Sequence, residues 1–129
     1  DYRRSIELVV PGQAPKQLHL GDHAVLGVAC DNRGRRIWAV LGRWEQQRGN
    51  HELVLISDAG EVTQRRALEP WTLKAGSPIQ WNPVTNQLLM TLTRPNQTHA
   101  RAGLIDGDSL KLIKVINTPI SEAQWLNAG

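Results

Sequence analysis

SPIQWNPVTNQLLMTLT, residues 77–93, decides how the chain is read. SPIQW (Ser77–Trp81) is a short run of strand-forming residues. NPVTN (Asn82–Asn86) breaks it with Asn and Pro, which favour tight turns. QLLMTLT (Gln87–Thr93) then resumes as a second strand. Arg94–His99 is polar and reads as a hairpin tip. RAGLI (Arg101–Ile105) is a third strand, Asp106–Ser109 a second turn, and LKLIKVIN (Leu110–Asn117) a fourth strand closed by Pro119.

The same order occurs once before. Ala24–Ala29 is apolar and is followed by a turn at Asp31–Gly34, the strand RIWAVL (Arg36–Leu41) and a long polar tip over Gly42–Asn50. ELVLIS (Glu52–Ser57), the turn Asp58–Gly60 and Glu61–Leu68 complete this pass before Pro70. Gly60 stands where a hairpin turn calls for positive φ. Ile37 and Leu88 lie 51 residues apart, as do Leu41 and Leu92, while Ile56 and Ile105 lie 49 apart, as do Pro70 and Pro119. Self-similarity at such a period marks a repeated supersecondary unit. Sequential strands joined by short turns make an antiparallel meander. The expected units are roughly 23–70 and 76–119, within one domain over 1–129.

Both ends carry further pieces of the pattern. SIELVV (Ser5–Val10) reads as the last strand of a preceding unit, and Gln13–Asp22 as a loop. Ala123–Asn127 echoes Ile79–Asn82 and would open a third unit. No window has a sustained helical period with caps, so almost no helix is expected.

The run Trp81-Asn82-Pro83, the strand Leu88–Leu92 and the hairpin Asp106–Ser109 resemble the blades of a β-propeller of the TolB or WD-repeat type. The resemblance implies an all-β chain of four-stranded meanders forming part of a propeller. A face-to-face two-sheet β-sandwich is the alternative architecture. A closed propeller takes at least about four blades, so the remaining blades would come from a longer chain or from further copies. Unmatched edge strands at Ser5–Val10 and Glu122–Asn127 then predict a homo-oligomer, or two ends meeting in one sheet.

Composition excludes several classes. The 129 residues suffice for one core. A net charge of +3 is weak for a nucleic-acid binder. The basic set is 11 Arg against 4 Lys, and Phe is absent beside five Trp. No apolar run is long enough to cross a membrane. The single cysteine, Cys30, follows an apolar run and reads as a small core residue. A start at Asp1 rather than Met points to a removed signal peptide, an upstream domain or an arbitrary boundary of the segment, and the first would place a soluble chain in the periplasm or outside the cell.

The sequence signals no catalytic residue, cofactor or metal site. G-x-S-x-G, P-loop, H-E-x-x-H and C-x-x-C patterns are all missing. His19, Asp22 and His23 are close in sequence but lack a further signalled ligand, so they read as a polar loop. Asp106-Gly107-Asp108 lacks the rest of a calcium loop and reads as a turn. Asn96-Gln97-Thr98 is a formal glycosylation triplet on a tip.

One cluster has the composition of an interface. Arg33, Arg35, Arg36, Arg43, Trp44 and Arg48 surround Trp38 across a turn, a strand and a tip. Arg and Trp dominate protein–protein hot spots, so these six residues are the candidate contacts with a protein partner. The alternative is a solvated hairpin with Trp38 facing the core. The resulting expectation is a non-catalytic, propeller-like scaffold presenting loops to a protein partner. The competing reading is a fragment of a propeller-containing enzyme, such as a hydrolase, whose active site lies elsewhere.

Overall fold

The computed structural model describes residues 5–8, 12, 14–19, 23–31, 35–43, 51–94 and 99–120, and every regular element among them is a strand. The strands are β1 (Ser5–Leu8), β2 (Lys16–His19), β3 (His23–Cys30), β4 (Arg36–Arg43), β5 (Glu52–Ser57) and β6 (Val62–Ala67). They continue with β7 (Thr72–Leu73), β8 (Gln80–Asn82), β9 (Gln87–Thr93), β10 (Ala100–Asp106) and β11 (Leu112–Ile120). β3-β4-β5-β6 form one antiparallel meander, and β7 to β11 form a second sheet centred on β9 and β10. The all-β class and the two repeated meanders agree with the sequence.

Three details of the strand pattern differ from the sequence reading. The segment Gln13–Asp22 is not all loop: Lys16–His19 pairs with Ser5–Leu8 as a separate two-stranded sheet, so Ser5–Leu8, expected to lack a partner strand, has one on one edge within its own chain. The opening strand of the second unit is split. Thr72–Leu73 and Gln80–Asn82 both pair with β9, at its two ends, while Ala75 and Gly76 turn out between them. Gly76 has φ 76°, which an L side chain rarely adopts. Ser77 closes this turn, its N–H and Oγ both donating to the Lys74 carbonyl (3.1 and 2.6 Å). Finally, Pro119 lies inside β11 rather than after it. There the register slips, with Ala102 opposite Ile116 but Ala100 opposite Ile120. A bulge on an edge strand is where proline's missing N–H does least harm.

The two sheets share a core. Trp38, Val40, Leu53 and Leu55 from the first pack with Leu88, Met90, Leu92 and Ile105 from the second. Strand alternation then directs Ile37, Ala39, Leu41, Val54 and Ile56 to the opposite face of the first sheet, where they form a second buried cluster. Leu89 and Ala102 do the same on the far face of the second sheet. Each sheet is thus apolar on both sides, unlike an antiparallel sheet with one face in water. Gly27 belongs to this fit. A Cβ there would lie 2.8 Å from Ile79 Cδ1 and 2.9 Å from Leu73 Cδ2. Cys30, expected inside, is exposed. Ala29 takes the inward position at the end of β3, so the next residue faces out.

His51 ties the first unit to the start of the second. Its Nδ1 accepts the Leu73 N–H at 3.0 Å, and its carbonyl accepts the Leu68 N–H at 2.9 Å. Burial pushes the imidazole below its ordinary pKa of 6.5, because desolvation disfavours the charged ring. The unfolded chain therefore takes up a proton at His51 before the folded chain does. The associated stability is complete above pH 6.5 and declines as pH falls toward the lower folded value. Urea midpoints between about pH 7.5 and 5.5 are expected to fall less steeply for His51→Gln than for the wild type. Identical slopes would mean that His51 is not held neutral by the fold.

Candidate functional site

A polar constellation between the sheets grows from three turns. Asp31 opens the β3–β4 turn, its Oδ1 accepting the Arg35 N–H at 2.9 Å. Asn82 opens the corresponding β8–β9 turn, with Oδ1 accepting the Val84 N–H at 2.9 Å. Asp31 and Asn82 are 51 residues apart, the repeat spacing. Each is a short acceptor that closes a turn on its own backbone. The third turn follows β10. Asp106 Oδ2 accepts from the Ser109 N–H (2.7 Å), the Ser109 hydroxyl (2.8 Å) and the Asp108 N–H (3.2 Å). The hydrogen bonds from Ser109, backbone first and then side chain, hold the Asp106 carboxyl below its usual range. This carboxylate is thus committed to its turn. Among the described residues no cluster of His, Cys, Asp or Glu could hold a metal ion.

Arg36 joins all three turns. Its Nη1 donates to Asn86 Oδ1 (3.0 Å) and Asp108 Oδ1 (2.9 Å), and its Nε to Asp31 Oδ2 (3.4 Å). The guanidinium lies 5.0 Å from the Trp38 ring centre and 5.4 Å from that of Trp81. The two indoles stack on each other at 5.7 Å. Trp38 is fully buried and donates from Nε1 to the Gly107 carbonyl at 2.9 Å. Trp81 donates from Nε1 to Asn86 Oδ1 at 3.0 Å. Asn86 holds this position at φ 53°, a conformation Asn tolerates better than most residues. Gly107 must be small, since a Cβ would lie 2.7 Å from Asn86 Oδ1 and 2.8 Å from the Asn86 carbonyl oxygen. The arrangement is a charged and aromatic latch fastening the first unit to the second.

The six candidate partner contacts have different places. Arg36 is in the latch, about one-third exposed. Arg35 beside it is exposed. Arg43 ends β4, and its side chain lies outside the described residues, as do Arg33, Trp44 and Arg48 altogether. Trp38 faces the core. Sequence reasoning missed Trp81, Asn86 and Asp108 as Arg36's partners. The equivalence of the two turns was the available signal, because it sets Arg35-Arg36 against Asn86-Gln87 across the repeat.

No family model, curated protein or solved structure matches this chain. Among the described residues no helix is long and apolar enough to cross a membrane.

A concave feature lies at another part of the seam. It is a cleft of about 380 Å³ between the end of β6, the segment 68–71, and the start of β11. Leu68, Leu92 and Leu110 line it and are buried. Arg66 and Lys111 line it and are exposed. Trp71 also lines it, with the Arg94 guanidinium 4.5 Å from its ring centre.

Proposed function

We propose that the chain is part of a β-propeller-like, non-catalytic scaffold that presents its loops to a protein partner. The observation that carries this reading is that unlike faces of the two units meet. The first unit contributes Trp38 and Val40 to the shared core, and the second contributes Leu88, Met90 and Leu92. The repeat equivalents of those three are Ile37, Ala39 and Leu41, which lie on the opposite face of the first sheet. A symmetric sandwich would bring like faces together. Unlike faces give head-to-tail stacking, in which each unit retains one face for the next. The Ile37 face and the Leu89 face are apolar accordingly. The hairpin β1–β2 also supports the reading. It precedes β3 in the chain as β5–β6 precedes β7, the place of a preceding unit's last two strands.

The test has two parts. Light scattering on the purified chain, with and without residues 1–10, is expected to show association that depends on that segment. A monomer whose melting temperature survives the deletion would overturn the assembly. A pull-down comparing wild type with Arg43→Ala/Trp44→Ala tests the partner. Equal retention of every partner by both would remove the tip from the reading.

A further inference from the structure

The seam cleft has three features that ordinary packing does not require. The first is its charge. Arg66 and Lys111 stand at its rim with Glu69, yet no carboxylate among the described residues lies within 4.0 Å of either cation, and none within that distance of Arg94. Glu69 shares the cleft without pairing with them. The cleft is thus lined by two cations and one carboxylate, and among the described residues neither cation has an acidic partner.

The second feature is the floor. Leu68, Leu92 and Leu110, at 8%, 0% and 1% exposed, close the cleft off beneath those charges, and Leu112, 41% exposed, is its open apolar wall. Trp71 is half-buried beside them. An apolar pocket with a few converging polar groups is the usual form of a small-molecule site, and about 380 Å³ falls within the range such sites occupy.

The third is Leu110 itself. It sits at φ 63°, in the left-handed region. The second turn is one residue longer, but the position just before the carbonyl that closes each hairpin, Glu61 for Ser57 and Lys111 for Asp106, is Gly60 in the first turn, at φ 88°, and Leu110 in the second. Glycine adopts this conformation without a Cβ penalty, whereas a leucine is strained there. The second turn accepts that strain and places a buried leucine in the cleft floor. Strain of this kind collects at ligand sites.

We propose that this cleft binds a small organic anion with a flat apolar body, an aromatic carboxylate being the simplest example. The apolar body lies against Leu112 and Trp71, above the closed leucine floor. The carboxylate meets Arg66 and Lys111, and Arg94, 4.5 Å from the Trp71 ring centre, adds to the positive field nearby. An apolar cation would face the same floor but meet uncompensated like charge. This site does not depend on the scaffold reading above, since both units that form it lie within the chain.

The probes are three molecules with one body and three charges: naphthalene-2-carboxylate, 2-naphthamide and naphthalen-2-ylmethylammonium. Binding is read by isothermal titration and by the shift of the Trp71 indole N–H resonance, assigned with Trp71→Phe. The carboxylate is expected to bind most tightly and the ammonium most weakly. Arg66→Gln and Lys111→Gln are each expected to weaken the carboxylate by about threefold, as exposed charge pairs do. Neither should change the amide. Glu69→Gln removes the one opposing charge and should tighten the carboxylate. All three side chains are exposed, so melting temperatures should stay near wild type. Equal binding of the three probes, carboxylate binding indifferent to both cation substitutions, or no shift of the Trp71 resonance with millimolar carboxylate would each overturn the proposal.

Discussion

Trp38→Ala is expected to destabilise the chain by about 3–5 kcal/mol, the usual cost of emptying a large buried aromatic site. Trp38 has no exposed surface and touches both units, so the cavity would open in the seam. The loss has three parts. The indole leaves its packing against Val40, Leu88 and their neighbours. Trp81 and the Arg36 guanidinium lose the ring on which they stack. The Gly107 carbonyl loses its donor. Since a domain holds only about 5–15 kcal/mol in total, chemical denaturation should show a severe shift or no folded baseline. Trp38→Phe separates the terms. It retains much of the packing but not the N–H, and an unsatisfied buried carbonyl costs about 1–3 kcal/mol. A phenylalanine variant as stable as the wild type would show that the Gly107 bond contributes nothing net.

Ile37→Ala is the second large effect, at about 2–5 kcal/mol. Ile37 is 1% exposed, but it faces away from the seam, into the cluster with Leu41, Val54 and Ile56. Its repeat equivalent, Leu88, is fully buried in the seam instead. Urea denaturation of Ile37→Ala and Leu88→Ala should therefore give comparable losses for the two equivalent positions. A midpoint unchanged in Ile37→Ala would mean that the outer face of the first sheet is not a working core, and the head-to-tail stacking would lose its support. Trp81→Ala should cost less than Trp38→Ala, because Trp81 is only partly buried.

Much of this fold was legible because strands and turns alternate with little interruption. The pairing of Ile37 with Leu88 by spacing predicted that both are buried, and the strand alternation around them holds in both sheets. The positive φ at Gly60 was readable from the turn chemistry. What escaped were features set by tertiary pairing. Lys16–His19 has weak strand propensity, and only its register against Ser5–Leu8 makes it a strand. Thr72–Leu73 is too short to read as a strand, but it is recruited by the end of β9. Pro119 looked like a stop because an interior strand would exclude it, whereas a bulged edge admits it. Arg36 looked like an interface residue from its type alone. Its partners come from turns 50 and 72 residues away, which no local window contains.

The unlike-face seam also bears on how such a chain could lengthen. A unit that carries both halves of one interface, the Trp38-type face and the Leu88-type face, has complementary halves within a single coding segment. An in-frame duplication of that segment would produce a new neighbour whose docking surface already fits, with no compensating change in the parent. A like-face seam offers no such route, since its one apolar surface is consumed by the first pairing and a third copy has nowhere to sit. Drift after duplication would then fall unevenly, sparing the apolar strand positions that every copy must match and altering the turns that only one neighbour reads. The positive-φ turn position is Gly60 in one unit and Leu110 in the other.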